Sequence, residues 1–117
     1  MKTINYTELT KMLEPGKKHP ILVNVLPKKD FLNYHIPGSI NIPVEQLGQK
    51  ANELFAKHDW VVVYCAGEKC DASHKAAETL HKAGFENIFR FVGGVEEWKK
   101  NKNYVCCETK TPTACAA

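Results

Sequence analysis

The stretch Trp60-Val61-Val62-Val63-Tyr64-Cys65-Ala66-Gly67-Glu68-Lys69-Cys70-Asp71-Ala72-Ser73 runs from an unbroken apolar segment straight into a loop of small and charged residues. Three consecutive valines between two aromatics leave neither face polar, which predicts a central strand of a parallel sheet, covered on both sides. Beyond the loop, Ala76, Ala77, Leu80 and Ala83 recur at helical spacing, and Gly84 provides a C-terminal cap. The unit is therefore strand, loop, helix, with Cys65 closing the strand.

The same alternation extends outward. Asn5 followed by Glu8 has capping-box spacing, Leu9, Met12 and Leu13 form an apolar stripe, and Pro15-Gly16 ends that helix. Ile21-Leu22-Val23-Asn24-Val25 predicts a buried strand, and Pro27 suits the first turn of a short helix through Asp30, Phe31 and Tyr34. His35 to Pro43 predicts a structured loop with a brief extended piece at Ser39 to Asn41. Val44 to Lys57 predicts a helix with Leu47, Leu54 and Phe55 inward, Asn87 to Val92 a strand, and Gly93-Gly94 a turn into a helix carrying Val95 and Trp98. The expectation is an α/β domain with a largely parallel central sheet and helices on both faces.

The 117 residues suit one domain, expected over 1–107, with 108–117 as a flexible tail. No apolar run reaches the length of a membrane span and no secretory leader opens the chain, so the expected setting is cytoplasmic, without a membrane partner. The net charge of +3 comes from scattered lysines, such as Lys17-Lys18, Lys28-Lys29 and Lys99-Lys100, rather than a basic stripe. This gives no footprint for nucleic acid. Five cysteines cannot all pair within the chain, and a domain of this size needs no disulfide framework, so free thiols are expected.

Ligands of open parallel sheets bind beyond the carboxyl ends of the strands, where Cys65 lies. Loop amides and the following helix dipole favour a thiolate or bound anion there, which predicts a lowered Cys65 pKa. Small residues at Ala66, Gly67 and Ala72 let backbone approach the sulfur. The competing reading is a buried, inert cysteine.

Three ordered blocks resemble the rhodanese family: Phe31-Leu32-Asn33-Tyr34-His35-Ile36-Pro37-Gly38-Ser39-Ile40-Asn41-Ile42-Pro43, then Val61-Val62-Val63-Tyr64-Cys65, then Ala76-Ala77-Glu78-Thr79-Leu80 with Gly84-Phe85 and Gly93-Gly94-Val95-Glu96-Glu97-Trp98. The resemblance covers nearly the whole chain and implies a rhodanese-like fold. It further implies a sulfurtransferase that takes sulfane sulfur from thiosulfate or a persulfide onto Cys65. The sulfur then passes to a thiol or cyanide-like acceptor, the thiol belonging to a small molecule or a protein. The family's anion-holding loop maps here onto Ala66, Gly67, Glu68, Lys69, Cys70 and Asp71. His35 would brace the first signature.

Three features differ from the common family pattern. The loop is longer by two residues and contains Cys70, the loop arginine is missing, and Asn24-Val25-Leu26 stands where Asp-Val-Arg is usual. Lys69 and, when protonated, His74 are the only cations expected near Cys65. Cys70 reads three ways: a resolving or relay thiol, a bystander, or a partner of Cys65 on a soft metal. Two thiols fall short of a structural zinc set, so no metal or cofactor is assigned. Cys106, Cys107 and Cys115 read as incidental tail thiols, with sulfur acceptance or completion of a metal site as the alternative, His19, His58 and His81 as surface residues, and Trp60 and Trp98 as core anchors. A Cys-x5-Arg phosphatase or arsenate reductase is disfavoured because the arginine position holds Asp71. A catalytically silent partner-binding module and a Cys65/Cys70 redox protein stay open as alternatives.

Overall fold

The computed structural model describes residues 2–102. In chain order the elements are β1 (Lys2–Ile4), α1 (Tyr6–Met12), β2 (Ile21–Asn24), α2 (Lys28–Asn33), β3 (Ile40–Asn41), α3 (Val44–Leu54), β4 (Trp60–Tyr64), α4 (Ala72–Lys82), β5 (Asn87–Phe91) and α5 (Gly94–Lys102). The sheet order is β1-β5-β4-β2-β3, and every pairing is parallel. The valine-rich strand is the central one, as its two apolar faces require.

Alternation along β4 divides the core between two layers. Val61, Val63 and Cys65 point toward α3 and α4, among Leu47, Ala51, Ala76, Ala77 and Leu80. Val62 and Tyr64 point to the opposite layer, among Leu9, Ile36, Phe91, Val95 and Trp98. Among the described residues no helix is long and apolar enough to cross a membrane.

Local signals act where they were read. Asn5 Oδ1 accepts from the Glu8 amide at 2.8 Å while Glu8 Oε1 accepts from the Asn5 amide at 3.1 Å, closing the capping box. Gly84 follows α4 with φ +92°, a conformation that favours glycine. His35 is buried, stacks on Phe31 with centroids 3.9 Å apart, and shares a 2.7 Å hydrogen bond between Nδ1 and the Phe31 carbonyl.

The structure departs from expectation at the edges. Lys2–Ile4 forms a strand beside β5 that the polar start of the chain did not signal. The helix after Val44 ends at Leu54 rather than Lys57, and Leu54 is 59% exposed instead of inward; Phe55, just past the helix end, packs on the core. Trp60 is 51% exposed, so it is a rim residue resting on Phe89 (centroids 5.1 Å apart), whereas Trp98 is buried. Cys106, Cys107, Cys115 and the expected 108–117 tail lie outside the described residues.

Candidate functional site

Cys65 follows the last residue of β4 and is 1% exposed. Its loop is anchored from below by α5, where the Val95 amide donates to the Cys65 carbonyl at 3.0 Å and the Glu96 amide to the Ala66 carbonyl at 2.9 Å. These helix N-terminal amides have no partner within their own helix, so spending them on the loop both caps α5 and holds the loop to the sheet. Gly94 makes this contact possible: its φ is +56°, and a Cβ there would overlap the Cys65 carbonyl. Gly67 likewise cannot carry a Cβ without meeting the Glu96 carboxylate. A turn from Gly67 to Cys70, closed by a 3.1 Å hydrogen bond, then folds Cys70 back over Cys65.

The two thiols influence each other's ionisation. The Cys65 thiol also donates toward the Cys70 carbonyl at 3.4 Å, with the Gly67 carbonyl at 4.0 Å. Burial, with the interaction with Cys70, pushes the Cys65 thiol above its ordinary value, opposed by the hydroxyl and amide of Ser73. Cys70 moves the other way. Its partial burial disfavours the thiolate, but the Cys65 thiol and the amides of Ala72 and Ala66 outweigh this and lower its pKa. The expectation of a lowered Cys65 pKa is thus corrected: desolvation dominates at the deeper sulfur, while the more open one collects the donors. Of the two thiols, Cys70 is therefore the one that ionises more readily.

Of the loop residues named from sequence, Ala66 supplies an amide to a sulfur, while Gly67 and Cys70 turn carbonyls to Cys65. Glu68, Lys69 and Asp71 are exposed. The donors extend past that stretch to Ala72 and Ser73. His74 is exposed and pairs with Glu78 along α4, which gives it a role on the surface. Among the described residues no group of three or more His, Cys, Asp or Glu side chains could hold a metal ion.

Two residues to which the sequence assigned no role complete the site. Ser73 is fully buried, and its Oγ accepts from Arg90 Nε at 2.9 Å. Arg90 lies on β5 in register with Val63. A signal existed: Arg90 is the chain's only arginine, set in the apolar run Ile88-Phe89-Arg90-Phe91-Val92, and a charge in such a strand must find a partner. Ser73 gave less, since a serine in the first turn of a helix is common.

Comparison with known proteins agrees with the three-block resemblance. Residues 5–101 match the family model described as Rhodanese-like domain. The chain is 35% identical over 96 residues to the HTH-type transcriptional regulator Rv0324 of Mycobacterium tuberculosis, covering 82% of this chain and 41% of that protein. It is 30% identical over 79 residues to the putative sulfur carrier protein YrkF of Bacillus subtilis, covering 65% of this chain and again 41% of the relative. The chain therefore spans less than half the length of these two relatives. The solution structure of the rhodanese-like domain of the Anabaena protein Alr3790 superposes with a TM-score of 0.81 at 26% identity, covering 96% of this chain and 85% of that one. The α/β fold and the sequence both place this chain in the rhodanese-like domain family, which it joins as a member.

Proposed function

We propose that this protein carries sulfane sulfur as a persulfide on Cys65 and passes it to a thiol acceptor. The observation that carries the reading is the convergence of the Ala66, Ala72 and Ser73 amides on two neighbouring thiols at the carboxyl end of the central strand. Such donors suit an anionic sulfur, which a thiolate and a persulfide both present. Membership in a family with relatives named as sulfur carrier and as sulfurtransferase points the same way.

The first step passes the proton of Cys65 to the Cys70 thiolate, leaving a Cys65 thiolate without a proton leaving for solvent. That thiolate attacks the outer sulfur of thiosulfate; a new S–S bond forms on Cys65 as the old one breaks, and sulfite leaves with the electron pair. A persulfide donor reacts in the same way and loses a thiolate. An acceptor thiolate then attacks the outer sulfur of the Cys65 persulfide, taking that sulfur and returning the Cys65 thiolate. The buried position of Cys65 shields the persulfide from bulk nucleophiles.

A second reading is favoured by the contact between the thiols. Cys70 attacks the inner sulfur of the Cys65 persulfide, forming a Cys65–Cys70 disulfide and releasing hydrosulfide. Intact-mass measurement after incubation with thiosulfate, and separately with a persulfide donor, tests both readings. One added sulfur on wild type and Cys70→Ser, absent from Cys65→Ser, is the expected result. An adduct trapped only in Cys70→Ser selects the resolving-thiol reading. No adduct on any variant with either donor overturns sulfur transfer in favour of a partner-binding module.

A further inference from the structure

Arg90 reaches the site from a strand that carries none of the family's cysteine loop. Its register with Val63 sets it on the face of the sheet that holds Val63 and Cys65, under the start of α4. There its Nε donates to Ser73 Oγ at 2.9 Å, and Ser73 has no exposed surface. No carboxylate among the described residues forms an ion pair with Arg90.

The hydrogen-bond inventory makes this contact directional. A guanidinium only donates, so Ser73 Oγ must accept from it, and the single hydroxyl proton of Ser73 is left for another acceptor. The Cys65 sulfur is the neighbour on which that hydroxyl acts, and its action favours the thiolate. We infer that Arg90 is a positioning residue for Cys65: by holding Ser73 Oγ as an acceptor it aims the serine proton at the sulfur, and so supports the anionic thiolate and persulfide. The arginine missing from the loop is thereby replaced from β5, through a serine, at a distance that leaves the loop free to hold Cys70.

The other groups around Cys65 are accounted for. Cys70 on the same loop ionises more readily than Cys65, with Asp71 opposing its charge. Glu96 of α5 lies against Gly67, and His74 of α4 is taken by Glu78. Among these groups Arg90 is the cation that donates a hydrogen bond to the buried Ser73.

The inference rests on Cys65 being the reacting sulfur, but its test does not use sulfur transfer. Alkylation of Cys65 by iodoacetamide, followed site by site with peptide mass spectrometry from pH 6 to 10.5, reports the apparent pKa of that thiol in the full chain. In Arg90→Met and Ser73→Ala the profile is expected to move up by about 0.5–1 pH unit, a ~3–10-fold slower reaction on the neutral side. The double variant is expected to shift no further than either single one, because both break the same relay. Arg90→Lys, which keeps a charge and a donor, is expected to recover part of the shift. A Cys65 profile unmoved in Arg90→Met, whatever its thermal stability, overturns the inference, as do additive shifts. If Arg90→Met does not fold, Ser73→Ala decides by the same criterion. A shifted profile in a protein that takes up no sulfur keeps this inference and removes the sulfur-transfer reading; uptake with an unmoved profile does the reverse.

Discussion

Gly94 presses its backbone against the carbonyl of Cys65, so closely that any side chain there would overlap the Cys65 oxygen. The contact ties the start of α5 to the end of β4, and the amide of Val95 completes it with a 3.0 Å hydrogen bond to the same carbonyl. Gly94→Ala meets two obstacles, the positive φ of 56° and the occupied space. It is expected to cost about 2–4 kcal/mol in urea unfolding and to lower sulfur uptake by displacing the loop. Wild-type stability in Gly94→Ala would show that the loop is not held there.

The two thiols should differ in reaction order. Cys70 is half-buried with its pKa lowered, while Cys65 is buried with its pKa raised. At neutral pH, site-resolved alkylation is expected to modify Cys70 at least about tenfold faster than Cys65, since thiolate fraction and access act in the same direction. Raising the pH should narrow the gap as Cys65 ionises. Faster labelling of Cys65 at pH 7 would contradict this order of ionisation.

Tyr64 predicts a stability effect separate from the sulfur chemistry. Its buried hydroxyl accepts from the Ile36 amide at 3.0 Å and lies 2.6 Å from Ser39 Oγ, pinning the 35–39 loop to the sheet. Tyr64→Phe leaves that amide without a partner and is expected to cost about 1–3 kcal/mol. Burial also raises the Tyr64 pKa above its ordinary 10.0, so the folded state holds its proton where the unfolded chain has lost it. The contribution is fully present below pH 10.0 and is lost as pH rises toward the folded-state pKa. Denaturant titrations from pH 8 to 11 should show stability falling less steeply above pH 10 in Tyr64→Phe than in wild type.

Helix α3 separates two leucines that the sequence treats alike. Leu47 is fully buried and Leu54 is 59% exposed. Leu47→Ala is expected to cost about 2–5 kcal/mol and Leu54→Ala less than about 1 kcal/mol, measured by thermal or urea unfolding. Equal costs would place Leu54 inside, as its spacing alone suggested.

Much of the architecture was legible because it depends on local pattern. Val61, Val62 and Val63 could only be a strand covered on both faces, Asn5 and Glu8 announced a helix start, and Gly84 announced a helix stop. The short β1 escaped because Lys2-Thr3-Ile4 has too few apolar residues to signal itself; its pairing with β5 supplies the order. Trp60 and Leu54 were misplaced because hydrophobicity says what a side chain prefers, and not whether the chain leaves room for it inside.

The sequence by itself determined the parallel α/β architecture, the family, and the placement of Cys65 at a strand end with Cys70 five residues on, since periodicity and spacing are properties of neighbouring residues. Only the tertiary structure set the order in which the two thiols ionise, because burial and donor amides act through space. It alone brought Arg90 beneath Ser73 across 17 residues, a contact made by the register of β4 with β5 and the packing of α4 over both.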